Sequence, residues 1–363
     1  MIRLSIATAS LVAVGLCSTA VAEDVAPELK AKPYWIGVTA SHIAEPAGPM
    51  FAPNAPWQEG LAGVELYKYY GVQAPGVKWA TKLNVPDFVA FCKRNDLRIA
   101  CEFGDFFVGS GKRLGDVAFQ NTGFNNNVVA QLDPIVAAGG TVSSICLDGP
   151  VCRTVKGLVK HPDAMELDDI AGELVRFFKR VRRRYPDIQV GLIPNLPNWD
   201  YTKELAGYNG FNTDGSGHTY LAALQCISSA LKASGDKVDF VEVDCPYNYY
   251  RQTRTRNSDA PVDNAKKLLA LQAWCEEGGA EFRLIVNAEH RGGGGKAFHD
   301  LVLDYVRALR RDGVFPDGFI IQSWYDKPDK NLPEIEAGTF TNTLRDAVRL
   351  INELFPRAKA QYE

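Results

Sequence analysis

Val142-Ser143-Ser144-Ile145-Cys146-Leu147-Asp148-Gly149 is a short run of branched and apolar residues that stops on an acid and a glycine. The same pattern returns along the chain. Arg98-Ile99-Ala100-Cys101-Glu102-Phe103, Phe240-Val241-Glu242-Val243-Asp244 and Leu284-Ile285-Val286-Asn287-Ala288-Glu289 are apolar runs that also end at an acid, and Phe319-Ile320-Ile321-Gln322-Ser323-Trp324 ends at an amide and an aromatic residue. Runs of this length and composition read as strands. Eight candidates can be counted: Tyr34–Val38, Val64–Tyr69, Arg98–Phe103, Val142–Leu147, Gln189–Pro194, Val238–Val243, Arg283–Asn287 and Gly318–Ser323. Alternation with helical stretches makes the sheet parallel. The expected fold is therefore α/β, a closed (β/α)8 TIM barrel forming one domain over residues 23–363, with an open doubly wound sheet as the alternative.

The intervening stretches carry apolar residues at spacings of three and four. Pro86 opens one of them in the first turn, where its missing N–H is harmless. Leu167–Tyr185 sets Ile170, Leu174, Phe177, Phe178 and Val181 on one side against a basic far face. Thr219–Leu231, Val262–Glu277, Ala297–Arg311 and Phe340–Leu354 follow the same rule. His42 to Gly63 lacks it and is rich in proline and glycine, so a long loop at the barrel mouth is expected there.

Side chains alternate between the two faces of a strand. The fourth run sets Ile145 and Leu147 against Ser144, Cys146 and Asp148, and the sixth sets Val241 and Val243 against Glu242 and Asp244. Helix stripes need apolar partners, so the acids face the barrel axis near its C-terminal end, where barrel enzymes hold their active sites. The expected inward ring is Glu65, Glu102, Asp148, Asn195, Glu242, Asp244, Glu289 and Gln322. Glu242 lies a layer deeper than Asp244, as a structural partner would. Arg98 and Arg283 are the expected cations for such pairs.

Clustered carboxylates repel one another, and some then keep a proton at neutral pH. A protonated acid beside an ionised one is what glycoside hydrolysis needs. Asp148, Glu289 and Asp244 are the candidate catalytic groups. Glu65, Glu102, Asn195, Trp199, Tyr247, Gln322 and Trp324 are candidate substrate-binding residues, since amides take hydroxyl hydrogen bonds and aromatic faces stack on sugar rings. Packing is the competing reading for each aromatic taken alone, Trp324 included.

Leu147-Asp148-Gly149, Asn287-Ala288-Glu289 and Gln322-Ser323-Trp324, each ending a strand, resemble the secreted (β/α)8-barrel glycoside hydrolases. In one large clan of that group the fourth strand carries the acid/base, the seventh a nucleophilic glutamate and the eighth a tryptophan beside the sugar. The resemblance then implies Asp148 as acid/base, Glu289 as nucleophile and Trp324 as platform. The clan has Asn-Glu on its fourth strand, whereas this chain has Leu147-Asp148. A second group, similar to α-galactosidases, would make Asp148 the nucleophile and Asp244 the acid. Both assignments include Asp148.

The rest of the sequence narrows the class. Met1 to Leu16 carries only Arg3 before an apolar run, and Ala20-Val21-Ala22 follows, so residues 1–22 read as a signal peptide and the chain as exported, periplasmic or extracellular. Bulky Leu16 argues against a lipid anchor on Cys17. No later stretch is apolar enough to cross a bilayer. A net charge of −3 lacks the basic footprint of a nucleic-acid binder. The cysteines form no Cys-x-x-Cys pair; Cys92 with Cys101, or Cys146 with Cys152, could meet, and buried thiols are the other reading.

Five histidines without a metal-binding spacing argue against zinc, and Gly-x-Ser-x-Gly is absent. The Arg291–Lys296 glycine run matches no phosphate-binding fingerprint and reads as a mouth loop. No cofactor and no metal are expected. The partner is a carbohydrate, acidic if the Arg251, Arg254 and Arg256 cluster faces the site; oligomeric state stays open. Two alternatives remain: a non-catalytic carbohydrate-binding barrel, and a metal-dependent phosphodiesterase using Glu65, Asp148 and Asp244 with His42.

Overall fold

A computed structural model describes residues 34–39, 48–70, 84–103, 128–152, 154–155, 165–196, 220–251, 263–289, 293–325 and 327–355. Eight strands lie in it: β1 (Trp35–Thr39), β2 (Leu66–Tyr70), β3 (Arg98–Phe103), β4 (Val142–Asp148), β5 (Gln189–Ile193), β6 (Phe240–Asp244), β7 (Glu281–Val286) and β8 (Gly318–Gln322). Each is parallel to its neighbours, and β1 pairs with β8 from Trp35–Gly318 to Thr39–Gln322, closing the barrel. That pairing excludes the open sheet. Strand ends differ from the sequence expectation by no more than two residues.

Helices α1 (Gln58–Leu61), α2 (Val85–Arg94), α3 (Ala130–Ala137), α4 (Leu167–Arg184), α5 (Tyr220–Ala233), α6 (Tyr247–Tyr250), α7 (Asn264–Gly278), α8 (Gly294–Arg311) and α9 (Phe340–Leu354) accompany the strands. Local chemistry sets several ends. Asn84 accepts from the Asp87 N–H ahead of Pro86, and Asp263 and Thr339 cap α7 and α9 in the same way. Helix α4 begins with Asp168 and Asp169 and ends with Arg182, Arg183 and Arg184, charges that match its dipole. Its expected stripe of Ile170, Leu174, Phe177, Phe178 and Val181 is buried.

The outer core lies between strands and helices, and one part of it corrects the sequence reading. Residues 48–61 are no open mouth loop: Met50 and Trp57 are fully buried, and the Trp57 indole donates to the Met50 carbonyl at 2.9 Å. The Glu334 carboxylate accepts the Glu59 and Gly60 N–H groups at 3.1 and 2.8 Å, capping α1 from the far end of the chain. A one-turn helix too short to stand alone is thus held by tertiary contact. Among the described residues no helix is long and apolar enough to cross a membrane.

Inside the barrel the filling alternates large and small. Trp35, Leu66, Ala100, Cys146, Ile193, Phe240, Ile285 and Ile320 make a second apolar cluster. Glycines leave room for its rings. A Cβ on Gly191 would lie 2.2 Å from the Phe240 ring, and one on Gly318 would lie 2.3 Å from Trp35. At the N-terminal end Arg283 rests on the Phe240 ring, 3.4 Å from its centroid, and bonds Glu281 and Gln189. Burial opposes the Glu281 carboxylate charge, but Arg283 outweighs it and holds its pKa below the ordinary value.

Candidate active site

Alternate strands of such a barrel supply the side chains of one layer. Followed around the register, Lys68, Cys146, Glu242 and Ile320 share a layer on the even strands. Tyr70, Asp148, Asp244 and Gln322 form the next even layer toward the C-terminal mouth. Glu102, on β3, falls between the two. Asn195 and Asn287 follow the ends of β5 and β7, and Glu289 and Trp324 stand beyond.

Lys68 is the residue the sequence reading missed. It has no exposed surface, and its Nζ donates to Glu102 at 2.5 Å and to Glu242 at 2.6 Å. Thr39 accepts no part in that cluster; its hydroxyl donates to the Lys68 carbonyl at 2.9 Å. Burial disfavours the ammonium, yet Glu102 and Glu242 outweigh burial and hold its pKa above the usual lysine range. For Glu102 burial is the leading cause; Lys68 opposes it, Asp148 and Glu242 add to it, and the carboxyl is pushed up to about 7. Burial, then Glu242, likewise raises the Cys146 thiol, which stays protonated and unreactive. Glu102, Cys146 and Glu242 bring ligand atoms within 4.8 Å of one another, and the cation they surround is Lys68 itself.

Above this cluster the mouth is polar. Asp148 is buried, 7% exposed, and Asp244 is half-buried. The Asn195 amide donates to Asp244 at 2.9 Å, orienting it. On the wall, the Tyr249 hydroxyl donates to Glu289 at 3.4 Å. The buried amide oxygens of Asn287 and Gln322 accept no hydrogen bond among the described residues, so both are ready for a donor. The Tyr70 and Trp324 rings meet edge to face at 5.2 Å, fixing the Trp324 ring beside the opening.

The structure thus brings Asp148, Asp244, Glu289, Asn195, Gln322 and Trp324 to one end of the barrel. Glu102 lies at that end too, but in the grip of Lys68 rather than at the surface of the site. Glu242 pairs with a cation as expected, and that cation is Lys68, not an arginine.

Two placements are corrected. Glu65 precedes β2 at the opposite, N-terminal end, where its carbonyl accepts from the Arg98 N–H at 3.0 Å. Leu66, Lys68 and Tyr70 hold the inward parity of β2, so Glu65 cannot join the ring; nor can it ligate a metal with Asp148 and Asp244. Tyr247 turns outward and packs on Tyr305 of α8 at 5.4 Å, leaving Tyr249 as the tyrosine of that turn beside the acids. Of the two readings of the cysteines, Cys92, Cys101, Cys146 and Cys152 follow that of buried thiols: all four are free and buried. Trp199, His42, His290, Arg254, Arg256 and residues 1–22 lie outside the described residues.

No protein-family model matches the sequence, and no curated protein matches it. Solved structures do. The chain is similar to a GH5_18 structure from Streptomyces cattleya in complex with GlcNAc, with a TM-score of 0.54 and 11% identity, over 91% of this chain and 82% of that one. It is similar to fungal β-1,4-galactanases, with a TM-score of 0.50 and 12% identity, over 87% of this chain and 99% of theirs. An L-ribulose 3-epimerase is matched at a TM-score of 0.50 and 13% identity, over 89% of this chain and 94% of that one. At such identities the likeness is one of fold: this chain has the closed (β/α)8 barrel found in glycoside hydrolases and in a sugar epimerase.

Proposed function

We propose that the protein is a glycoside hydrolase that cleaves an oligo- or polysaccharide, with Asp148 carrying the proton and Glu289 acting as nucleophile or as base toward water. The observation that carries the reading is the gathering of Asp148, Asp244 and Glu289 at one mouth, over a buried layer whose cation is already engaged. Two acids with different surroundings can hold different protonation states, one donating to the leaving oxygen while the other attacks. Asn195, Asn287 and Gln322 offer hydrogen bonds to sugar hydroxyls, and Trp324 offers a face for the ring. A second reading pairs Asp148 with Asp244, which share a layer and of which Asp244 is oriented by Asn195. The leader-like residues 1–22 support export to the periplasm or the medium.

A panel of aryl glycosides of both anomers tests the proposal, with release of the phenol as readout. Asp148→Asn should lower kcat by about 10³-fold on the cleaved substrate, the usual size of acid–base catalysis. Glu289→Ala and Asp244→Ala then separate the two pairs: with azide, the variant that lost a nucleophile should give a glycosyl azide of inverted anomer, and one that lost the acid/base a glycosyl azide of retained anomer. Binding of oligosaccharide without cleavage by the unaltered chain would instead favour the carbohydrate-binding barrel. Loss of activity to a chelator would favour the phosphodiesterase.

A further inference from the structure

Turn α6 is gripped by three neighbours. The Tyr247 N–H donates to the Asn287 carbonyl at 2.9 Å, which ties the start of the turn to the tail of β7. On the α8 side, the Tyr305 ring packs on Tyr247 and Tyr250 at 5.4 and 5.0 Å, and its hydroxyl donates to the Cys245 carbonyl at 2.8 Å. The Tyr250 hydroxyl donates to Asp312, next after α8, at 2.7 Å. The third grip comes from α7, where the Asn264 amide donates to the Tyr249 carbonyl at 2.7 Å. Tyr247 and Tyr250 are thus spent on α8. Tyr249, held at its carbonyl by Asn264, is the tyrosine whose hydroxyl meets Glu289.

The helix that Asn264 opens does not account for it. The N-cap of α7 is Asp263, whose side chain accepts the Lys266 N–H at 3.0 Å, so that end is satisfied without Asn264. Asn264 is buried, 3% exposed, and its amide oxygen accepts no hydrogen bond among the described residues. An oxygen buried without a donor costs stability. A side chain serving packing alone would be apolar there. What the amide supplies, and a leucine of similar size would not, is the N–H to Tyr249.

We propose that Asn264 is a positioning residue for Glu289 that acts through Tyr249: its amide fixes the turn, and the turn keeps the Tyr249 hydroxyl on the Glu289 carboxylate. A hydrogen bond donated to a carboxylate favours its ionised form and restricts its orientation. Both effects suit a group that attacks carbon or activates water, because a displacement of about 1 Å at a reacting atom costs about 10²-fold in rate. The influence passes through one backbone carbonyl and one phenol. The inference rests on Glu289 being a reacting group; the hold of Asn264 on the Glu289 carboxylate does not depend on catalysis.

The test compares Asn264→Leu, Tyr249→Phe and the double variant with the unaltered full chain by carboxyl ¹³C NMR titration. The Glu289 signal is identified by its loss in Glu289→Gln. Tyr249→Phe should raise the Glu289 midpoint by about half a pH unit, Asn264→Leu should do the same, and the double variant should exceed neither. On a cleaved glycoside each single variant should lower kcat about tenfold with KM nearly unchanged. An unmoved Glu289 midpoint in Asn264→Leu overturns the proposal, even where urea unfolding shows lost stability, because a merely structural asparagine moves stability alone. Additive shifts in the double variant overturn it as well, since Asn264 would then reach Glu289 by a route other than Tyr249. Should Asn264→Leu fail to fold, Asn264→Ala takes its place under the same criteria, and an unmoved Glu289 in Tyr249→Phe overturns the proposal by itself. If no glycoside is cleaved, the proposed activity fails while the titration still decides whether Asn264 governs Glu289.

Discussion

Lys68 sits at the centre of the barrel because two carboxylates meet it there, at 2.5 and 2.6 Å, and not because its stem is apolar. Removing one partner of a buried ionic cluster leaves the others uncompensated, which typically costs about 3–5 kcal/mol. Lys68→Met should therefore lose stability on that scale in urea unfolding. The loss should shrink as pH falls below about 7, where Glu102 can take up a proton in place of the missing ammonium. A loss below about 1 kcal/mol at neutral pH would show that the cluster is not held by charge. The sequence hid this lysine for a physical reason. In Leu66-Tyr67-Lys68-Tyr69-Tyr70 both faces are bulky, and a lysine in such a strand reads as solvent-facing. Taking Glu65 as inward shifted the parity by one, which sends every side chain to the other face. The sign that could have corrected it is the pair Tyr67 and Tyr69, whose rings belong with Phe88 on the helix side.

At the scale of elements, β5 and β6 are matched by subtraction. Gly191 has no side chain because the Phe240 ring occupies that space. Gly191→Ala should destabilise by about 1–3 kcal/mol, the usual cost of overpacking a filled core. Adding Phe240→Leu should recover part of that loss, and a double-mutant cycle by urea unfolding measures the coupling. Additive effects would mean that the ring does not fill the glycine's place. The strands themselves were legible, since branched runs ending on Glu102, Asp148, Asp244 and Asn287 carry both their element type and their direction. Helix α4 was legible from its stripe. Helix α1 was not, because its cap is Glu334, separated by most of the chain, and no local pattern encodes such a partner. The turn at Tyr247–Tyr250 offered three tyrosines in sequence; which one meets Glu289 depends on where Tyr305 stands, and that is a tertiary fact.

For the whole molecule, two acids shifted in opposite directions, buried Glu102 and half-buried Glu281, shape how stability follows pH. Glu102 is raised from 4.5 to about 7, so between those values the folded chain binds more protons than the unfolded one. Its contribution is full below about pH 4.5 and is lost as pH rises through about 7, by an amount on the order of 3 kcal/mol. Glu281 has the opposite sign. Its pKa is held down, so its contribution is present above the unfolded value and is lost as pH falls through the folded one. Unfolding free energy measured from pH 3 to 9 should be highest between the two losses, and Glu102→Gln should flatten the alkaline side alone. The convergence of the acids was readable from strand ends, whereas the layers that set Lys68 between Glu102 and Glu242 needed the register.

The seam between β1 and β8 has a consequence for synthesis. Trp35 finds its hydrogen-bonded neighbours only when Gly318 to Gln322 exist, so the first strand made waits for the last. Contacts between such distant positions form slowly, and an unpaired strand edge invites association with other chains in the meantime. A nascent chain released before β8 emerges keeps both β1 and β7 open on one side and lacks the wall that carries Gln322. Truncation near residue 315 should thus yield an aggregating fragment rather than a smaller working barrel.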